Sequence, residues 1–212
     1  MYKEIHFPHK KTNRNIRPIE FDRFEFAPVV DLPESYEVVD LSKGYDPEKL
    51  REYNAAVGGY NEKRNNMYIS PIYKNGRNIH MGVDFWLPAG TPVYSFYDGR
   101  VLFYRDNKNP RDYGPTVITE HKLGSRHLYA LYGHLNTKGI YELEEGQPLK
   151  KGEPIAEIGG ESENGGWEPH LHFQLSYIRP DEPDLPGVVS EQDRELALKC
   201  YPDPRRVLGP IY

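Results

Sequence analysis

The sequence predicts a mainly β protein with short flanking helices. From about residue 79, seven short runs rich in Val, Ile, Tyr and Phe follow one another, each bounded by Gly, Pro, Asn or Asp. Glycine and proline each supply 19 of the 212 residues and divide the chain into short segments. Apolar residues alternate within the runs, as at Leu171 and Phe173, which is typical of a half-buried strand.

The predicted strands can be read directly from the sequence. In chain order they are MGVDFWL, TPVYSFY, GRVLFYR, PTVITEH, LYALYGHL, EPIAEIG and HLHFQLSYI. Aromatic residues make up 13% of the chain, which is enough apolar mass to form a core and excludes a disordered polymer.

Composition excludes several classes of function. The net charge of −5 argues against a nucleic-acid partner, which would favour a basic surface. Cys200 is the only cysteine, so an internal disulfide and a cysteine-based zinc site are both excluded. No window approaches the roughly 18 apolar residues of a membrane span, and the N-terminus lacks the apolar segment of a secretion signal. We therefore expect a cytoplasmic protein, and the sequence leaves its oligomeric state open.

The chain divides into three predicted parts. Residues 1–70 form an N-terminal extension packed on the core, residues 71–180 a β domain, and residues 181–212 a C-terminal helix with a proline-rich tail. The extension contains one predicted helix with Asp46 as its cap, Pro47 at its first position and Gly58-Gly59 at its end. In the third part, SEQDRELALKC predicts a helix with Ser190 as a possible cap.

The segment PHLHF places two histidines two residues apart on a predicted strand. Because side chains alternate along a strand, His170 and His172 share one face, with Cα atoms about 6.5 Å apart. Two imidazoles on one face suit a transition metal. An isolated H-x-H pattern is nevertheless more often structural than metal-binding.

Two further segments supply polar groups of the same kind. His80 and Asp84 lie four residues apart, and an extended chain would separate their Cα atoms by about 13 Å, so convergence on one ion requires a bend that Gly82 permits. His134 ends an aromatic strand. Two nitrogens and a carboxylate with other histidines nearby would form an open zinc site. The sequence has neither HExxH nor GxSxG, so histidine is the expected proton carrier.

Taken together and in order, H-x-x-x-D, Y-G-H-L and P-H-L-H-F resemble the lysostaphin/LytM-type zinc metalloendopeptidases over roughly residues 77–178. The resemblance implies a compact antiparallel β-sheet core of the duplicated hybrid motif type. It implies Zn²⁺ held by His80, Asp84 and His172, with His134 and His170 as the catalytic histidines. A tyrosine upstream of the first ligand often assists in this family, and Tyr73 is the nearest candidate, followed by Tyr68.

The function implied by this resemblance is zinc-dependent hydrolysis of peptide bonds in peptidoglycan-type peptides, by water that the metal activates and two histidines assist. The expected partner is a peptide or peptidoglycan fragment. Two alternatives stay open: a non-catalytic binding or regulatory module on the same scaffold, and a cytosolic zinc amidohydrolase that acts on a small metabolite. GGYNEKRNNMYISP, ENGGWEPHLHFQ and CYPDPRRVLG also resemble the peptidase-like domain fused elsewhere to kinase-like and class-III aminotransferase-like domains.

Overall fold

The computed structural model describes residues 16–73 and 76–212. Within these residues the strands are β1 Glu37–Val39, β2 Ala56–Gly58, β3 Glu62–Lys63, β4 Ile79–His80, β5 Val83–Trp86, β6 Pro92–Tyr94, β7 Gly99–Asn107, β8 Gly114–Leu123, β9 Arg126–Gly133, β10 Pro148–Leu149, β11 Pro154–Glu157, β12 His170–Ser176 and β13 Val188–Val189. The α-helices are α1 Pro47–Glu52, α2 Thr137–Tyr141, α3 Arg194–Cys200 and α4 Arg205–Leu208. Short 3₁₀ helices span Phe21–Arg23, Leu41–Lys43 and Pro71–Tyr73.

One large sheet organises the described residues. Its eight strands follow the order β1-β2-β5-β12-β9-β8-β7-β10, and all neighbours are antiparallel except β1 and β2. A second sheet has the order β13-β4-β3, and β6 pairs with β11. The mainly β, antiparallel architecture with short helices that the sequence predicts is therefore confirmed.

The two faces of the large sheet carry different side chains. On β12, Leu171, Phe173 and Leu175 point into the largest apolar cluster. The alternating residues of the same strand, among them His170 and His172, lie on the opposite face and are also buried. Period-two alternation thus separates the packing face from the polar face, as PHLHF predicts.

The helix predicted after Asp46 begins as expected and ends earlier. The Asp46 carboxylate accepts a hydrogen bond from the backbone N–H of Lys49 at 3.2 Å, and Pro47 occupies the first turn. The helix ends at Glu52, however, because Tyr53 adopts an extended conformation. The prediction that Gly58-Gly59 end it was wrong, because Ala56–Gly58 instead pair with β5 in the large sheet.

The chain before residue 70 contributes to the same sheet as the later strands, through β1 and β2. The three-part division at residues 70 and 180 stays a prediction, and residues 1–15 of its first part lie outside the described residues. In the ranges that the structure describes, no helix is both long and apolar enough to cross a bilayer.

Candidate metal centre and active site

Strand register brings the polar residues of distant segments together. In the antiparallel pair β5–β12, Asp84 lies directly opposite His172. His80 belongs to β4 of the three-stranded sheet, so the chain passes from one sheet to the other between His80 and Asp84. Gly82 lies in this passage, where a Cβ atom would come within 2.5 Å of His172 Cε1. The bend predicted near Gly82 is present, and the missing side chain leaves room for the imidazole.

Three donor atoms converge where the chain passes between the two sheets. His80 Nε2 lies 2.9 Å from His172 Nδ1 and 3.2 Å from Asp84 Oδ1. The third distance, between His172 Nδ1 and Asp84 Oδ1, is 3.0 Å. A tetrahedral ion with bonds of about 2.0–2.1 Å places its donors about 3.3 Å apart. The triangle therefore matches one face of a zinc coordination tetrahedron, and the three residues form a group able to hold a metal.

Hydrogen bonds on the far side of each ring present the correct nitrogen to the metal. His80 Nδ1 donates to the carbonyl oxygen of Gly59 at 2.9 Å, which leaves Nε2 with its lone pair. His172 Nε2 donates to Gln174 Oε1 at 3.2 Å, which leaves Nδ1 free. The amide of Gln174 is oriented in turn, because its Nε2 donates to the carbonyl of Pro186 at 3.4 Å.

The third ligand is charged and fully enclosed. Burial alone would raise the pKa of Asp84, but the permanent charge of Arg64 beside its Oδ2 atom opposes this effect, and the pKa lies well below its usual value. Burial, reinforced by Arg64, lowers the pKa of His80 to about 4. Near neutral pH the triad therefore offers a neutral imidazole at His80 and a carboxylate at Asp84, the protonation states that a metal requires of these two ligands.

His134 and His170 form a second pair of imidazoles beside the triad. Their ring centroids lie 4.2 Å apart, and the His134 ring lies 6.4 Å from that of His172. His134 follows β9 in a left-handed conformation, with φ of 62°, which turns its side chain away from the strand direction. His170 stacks on Trp86 at 5.6 Å.

Backbone carbonyls fix the tautomers of this second pair as well. His134 Nδ1 donates to the carbonyl of Asn164 at 2.9 Å, and His170 Nδ1 donates to that of Glu168 at 2.6 Å. Each Nε2 is therefore a proton acceptor. Burial lowers the pKa of both rings, so both are neutral at pH 7 and able to accept a proton.

The five residues open into a pocket with about 500 Å³ of empty space. Aromatic side chains form much of its wall, among them Tyr68, Tyr73, Tyr113 and Trp167. The hydroxyl of Tyr73 donates to the carbonyl of Arg111 and is thereby occupied. The hydroxyl of Tyr68 accepts from Arg64 Nη1 at 3.2 Å. The two tyrosines singled out in the sequence thus differ in whether their own proton is engaged.

Sequence reasoning missed the groups that hold the ligands in place. Gln174 could have been found, because it continues the His170, His172 alternation by one further same-face step. Gly59 and Arg64 gave no such signal, since their contacts depend on where β2 and β3 dock.

The family model for peptidase family M23 matches residues 78–183, half of the chain. The chain belongs to peptidase family M23. The matched residues include all five histidine and aspartate side chains described above. The further resemblance to a domain of fused proteins stays a prediction.

Relatives of this M23 chain include proteins with assigned activities. Over 126 residues it is 32% identical to the peptidoglycan DD-endopeptidase ShyB of Vibrio cholerae, covering 59% of this chain and 26% of that protein. It is 28% identical over 179 residues to an uncharacterized metalloprotease of Haemophilus influenzae, covering 80% of this chain and 34% of the relative. A solved zinc-containing peptidase from Vibrio cholerae shares 33% identity with a TM-score of 0.41, over 59% of this chain and 36% of that one. The M23 chain thus spans about a quarter of the first of these relatives.

Zn²⁺ is the cofactor that this M23 site fits. Imidazole nitrogen and carboxylate oxygen are both ordinary zinc ligands, and three protein donors leave one position of a tetrahedron open. The hydrogen bonds to Gly59 and Gln174 orient both rings for such an ion. The zinc dependence expected from the sequence is supported by the family and by this donor set.

Proposed function

We propose that this chain is a zinc-dependent peptidase that hydrolyses amide bonds in peptides of the peptidoglycan type. The observation that carries the proposal is the convergence of His80 Nε2, Asp84 Oδ1 and His172 Nδ1 beside two further neutral histidines. The substrate class is supported by the activity named for the relative ShyB, a peptidoglycan DD-endopeptidase. By the same reasoning, the proposed enzyme is a hydrolase of the metallopeptidase class that acts on components of the cell wall.

His80, Asp84 and His172 hold the metal in this proposal. Bound there, Zn²⁺ supplies a Lewis acid that polarises the scissile carbonyl and lowers the pKa of water at the site. Asp84 contributes the only negative charge among the three ligands, so these side chains would neutralise only half of the charge of a divalent ion.

His134 and His170 act as the proton carriers. Because both Nδ1 protons are held by backbone carbonyls, only Nε2 of each ring can take a proton from the attacking water. A ring that has accepted this proton becomes a donor, and it can pass the proton to the leaving amine. The individual roles of the two rings stay open.

Tyr68 is the proposed donor to the oxyanion. In their resting tautomers both histidines present acceptors, so a separate donor is needed for the negative charge that develops on the carbonyl oxygen. The Tyr68 oxygen accepts a hydrogen bond from Arg64, which leaves its own proton free, and burial raises its pKa. The hydroxyl of Tyr73, the nearer candidate in the sequence, is already engaged, because it donates a hydrogen bond to the backbone carbonyl oxygen of Arg111.

The walls of the pocket support a peptide substrate. Met67, Ile72, Leu185 and Val188 provide apolar surface beside the polar centre. Such a combination suits a peptide with small apolar side chains, whose amide is the group to be cut.

Metal content and hydrolysis test the proposal together. We expect the purified protein to bind about one zinc per chain and to cleave D-amino-acid peptides or peptidoglycan fragments only when zinc is present. His80→Ala removes a ligand, so it should lose the zinc. Normal zinc content in that variant would contradict the assignment of the metal site.

His134→Ala separates chemistry from metal binding. We expect this variant to keep its zinc, because His134 is not one of the three converging ligands. Its turnover should fall at least ~100-fold, the usual cost of losing a general base. Unchanged turnover would remove His134 from the mechanism.

The same assays distinguish the alternatives. A zinc-loaded protein that binds peptidoglycan fragments without cleaving them would be a binding module. Cleavage of a component of a metabolite extract, with cell-wall peptides left intact, would indicate an amidohydrolase for small molecules.

The cytoplasmic location expected from the sequence is part of the proposal, and it affects the substrate. A cytoplasmic enzyme would meet free peptidoglycan fragments, whereas an exported one would meet the intact wall. Fractionation of cells that produce the native protein tests this, and recovery outside the cytoplasm would contradict the expectation.

A further inference from the structure

Arg64 is a fully buried cation next to the metal ligands. It follows β3, and its side chain has no solvent exposure. Its Nη1 donates to Asp84 Oδ2 at 2.6 Å and its Nε to Glu62 Oε2 at 2.6 Å. Enclosing a guanidinium is costly unless its charge is paired, and here two carboxylates pair it.

The two carboxylate oxygens of Asp84 have different partners. Oδ2 is bound by Arg64, while Oδ1 faces His172 Nδ1 at 3.0 Å and His80 Nε2 at 3.2 Å. Each ring of the triad likewise has one nitrogen held by the protein and one turned to the centre. Hydrogen bonds with surrounding protein groups, on the side away from the metal position, therefore orient all three ligands.

Backbone on the neighbouring strand makes room for this cation. Gly58 lies opposite Asp84 in the β2–β5 pair, and a Cβ atom there would come within 3.1 Å of Arg64 Nη2 and 2.6 Å of Trp86. The adjacent carbonyl of Gly59 accepts from His80. The segment from Gly58 to Arg64 thus contacts two of the three ligands, although it precedes residues 78–183, the part that matches the family.

We propose that Arg64 is a positioning residue for the metal: it occupies Asp84 Oδ2, so that the carboxylate binds the cation through Oδ1 alone. This inference rests on the proposed metal site. Single-oxygen binding keeps the coordination number low and leaves a position for water and substrate. Arg64 touches neither the metal nor the substrate, and it acts through Asp84.

Two substitutions of Arg64 and one control test this role. Arg64→Met keeps much of the length of the side chain but removes its charge, whereas Arg64→Lys keeps the charge without the planar fork. Glu62→Gln is the control, because it weakens the other ion pair of Arg64 and leaves the contact with Asp84 in place. Circular dichroism first establishes that each variant is folded.

Two measurements that do not depend on turnover report the effect of these substitutions on the metal site. Zinc affinity is measured by competition with a chelator, and coordination geometry by the visible absorption of the cobalt(II)-substituted protein. We expect Arg64→Met to bind zinc about 10–100-fold more weakly. Its cobalt bands should lose intensity, as the freed carboxylate turns both oxygens to the metal. Arg64→Lys should fall between Arg64→Met and the wild type, and Glu62→Gln should match the wild type in both readouts.

The outcomes separate this inference from the proposed function. Failure of the wild type to bind zinc would overturn the metal site itself. Zinc binding by the wild type with unchanged affinity and cobalt spectrum in both Arg64 variants would overturn the role of Arg64 alone, as would equal losses in Glu62→Gln. If neither Arg64 variant folds, NMR of the wild-type guanidinium decides: its protons should stay protected after zinc is added, and their loss would contradict the proposal.

Discussion

Gly82 shows how closely the backbone approaches the metal ligands at the scale of a single residue. A methyl group at this position would lie within 2.5 Å of His172 Cε1, 2.7 Å of its Nε2 and 2.8 Å of the carbonyl oxygen of Phe173. Contacts this short force the imidazole or the strand to move. The ligand geometry therefore depends on a residue that itself has no polar side chain.

We predict that Gly82→Ala weakens zinc binding by about tenfold or more, because the displaced His172 no longer converges with the other ligands. Chelator competition measures the change. Gly160→Ala is a matched control, since the nearest atom to its added Cβ is 4.0 Å away. Equal affinities in the two variants would show that the clash at Gly82 is relieved without moving the ligand.

The sequence predicts the ligands themselves better than the groups that orient them. His80, Asp84 and His172 belong to motifs whose spacing and order are visible in the chain. Arg64 lies twenty positions before its partner Asp84, in a segment with no periodic pattern. Its contact exists only because β3 pairs with β4 and β2 with β5, and such docking is decided by tertiary packing.

At the scale of an element, β12 carries both stability and chemistry. Leu171 and Phe173 are fully buried in the apolar cluster on one face, and His170 and His172 belong to the centre on the other. Its register with β5 and β9 places the strand in the middle of the sheet. The two functions of this strand should separate by substitution.

We predict that Leu171→Ala lowers the free energy of unfolding by about 2–5 kcal/mol, the usual cost of truncating a buried leucine. Turnover per folded molecule should remain, because the side chain faces away from the pocket. His170→Ala should keep its zinc and lose turnover. Urea unfolding and peptide hydrolysis check both, and a Leu171→Ala variant that is stable but inactive would contradict the separation.

The elements also show where local pattern stops being informative. The seven strands read from the sequence correspond to β5–β9, β11 and β12, because alternation and turn residues agree with the final sheets there, whereas the two-residue strands β4, β10 and β13 were not predicted. The first helix was predicted to continue to Gly58-Gly59, but pairing of Ala56–Gly58 with β5 prevailed over the local pattern. A three-residue strand has too few positions to reveal its period in the sequence.

At the scale of the whole molecule, buried histidines make stability depend on pH. His121 is fully buried outside the metal centre, where its Nδ1 donates to the carbonyl of Asp98 and its Nε2 accepts from Thr119. Burial lowers its pKa from 6.5 to about 4. The unfolded chain therefore binds a proton between pH 6.5 and 4 that the folded protein does not, so stability falls as the pH falls through this range.

We predict that His121 lowers the free energy of unfolding by about 3 kcal/mol as the pH falls through this range, because its pKa is about 4 in the folded protein and 6.5 in the unfolded chain. Urea unfolding of the zinc-free protein at several pH values measures the total. The difference between the wild type and His121→Gln isolates the part due to His121. Parallel pH profiles for the two proteins would contradict the prediction.

Because His80 lies on the three-stranded sheet and both Asp84 and His172 on the eight-stranded one, a cation held by all three would cross-link two sheets. Metal removal should then affect local opening unequally. We expect amide hydrogen exchange to quicken on chelation at Asn61 and Met81, whose N–H groups donate to the carbonyls of His80 and Gly187 at the small sheet. Exchange should change little in β8, an interior strand of the large sheet. Uniform acceleration throughout the protein would show that the ion stabilises the molecule as a whole instead of joining these two sheets.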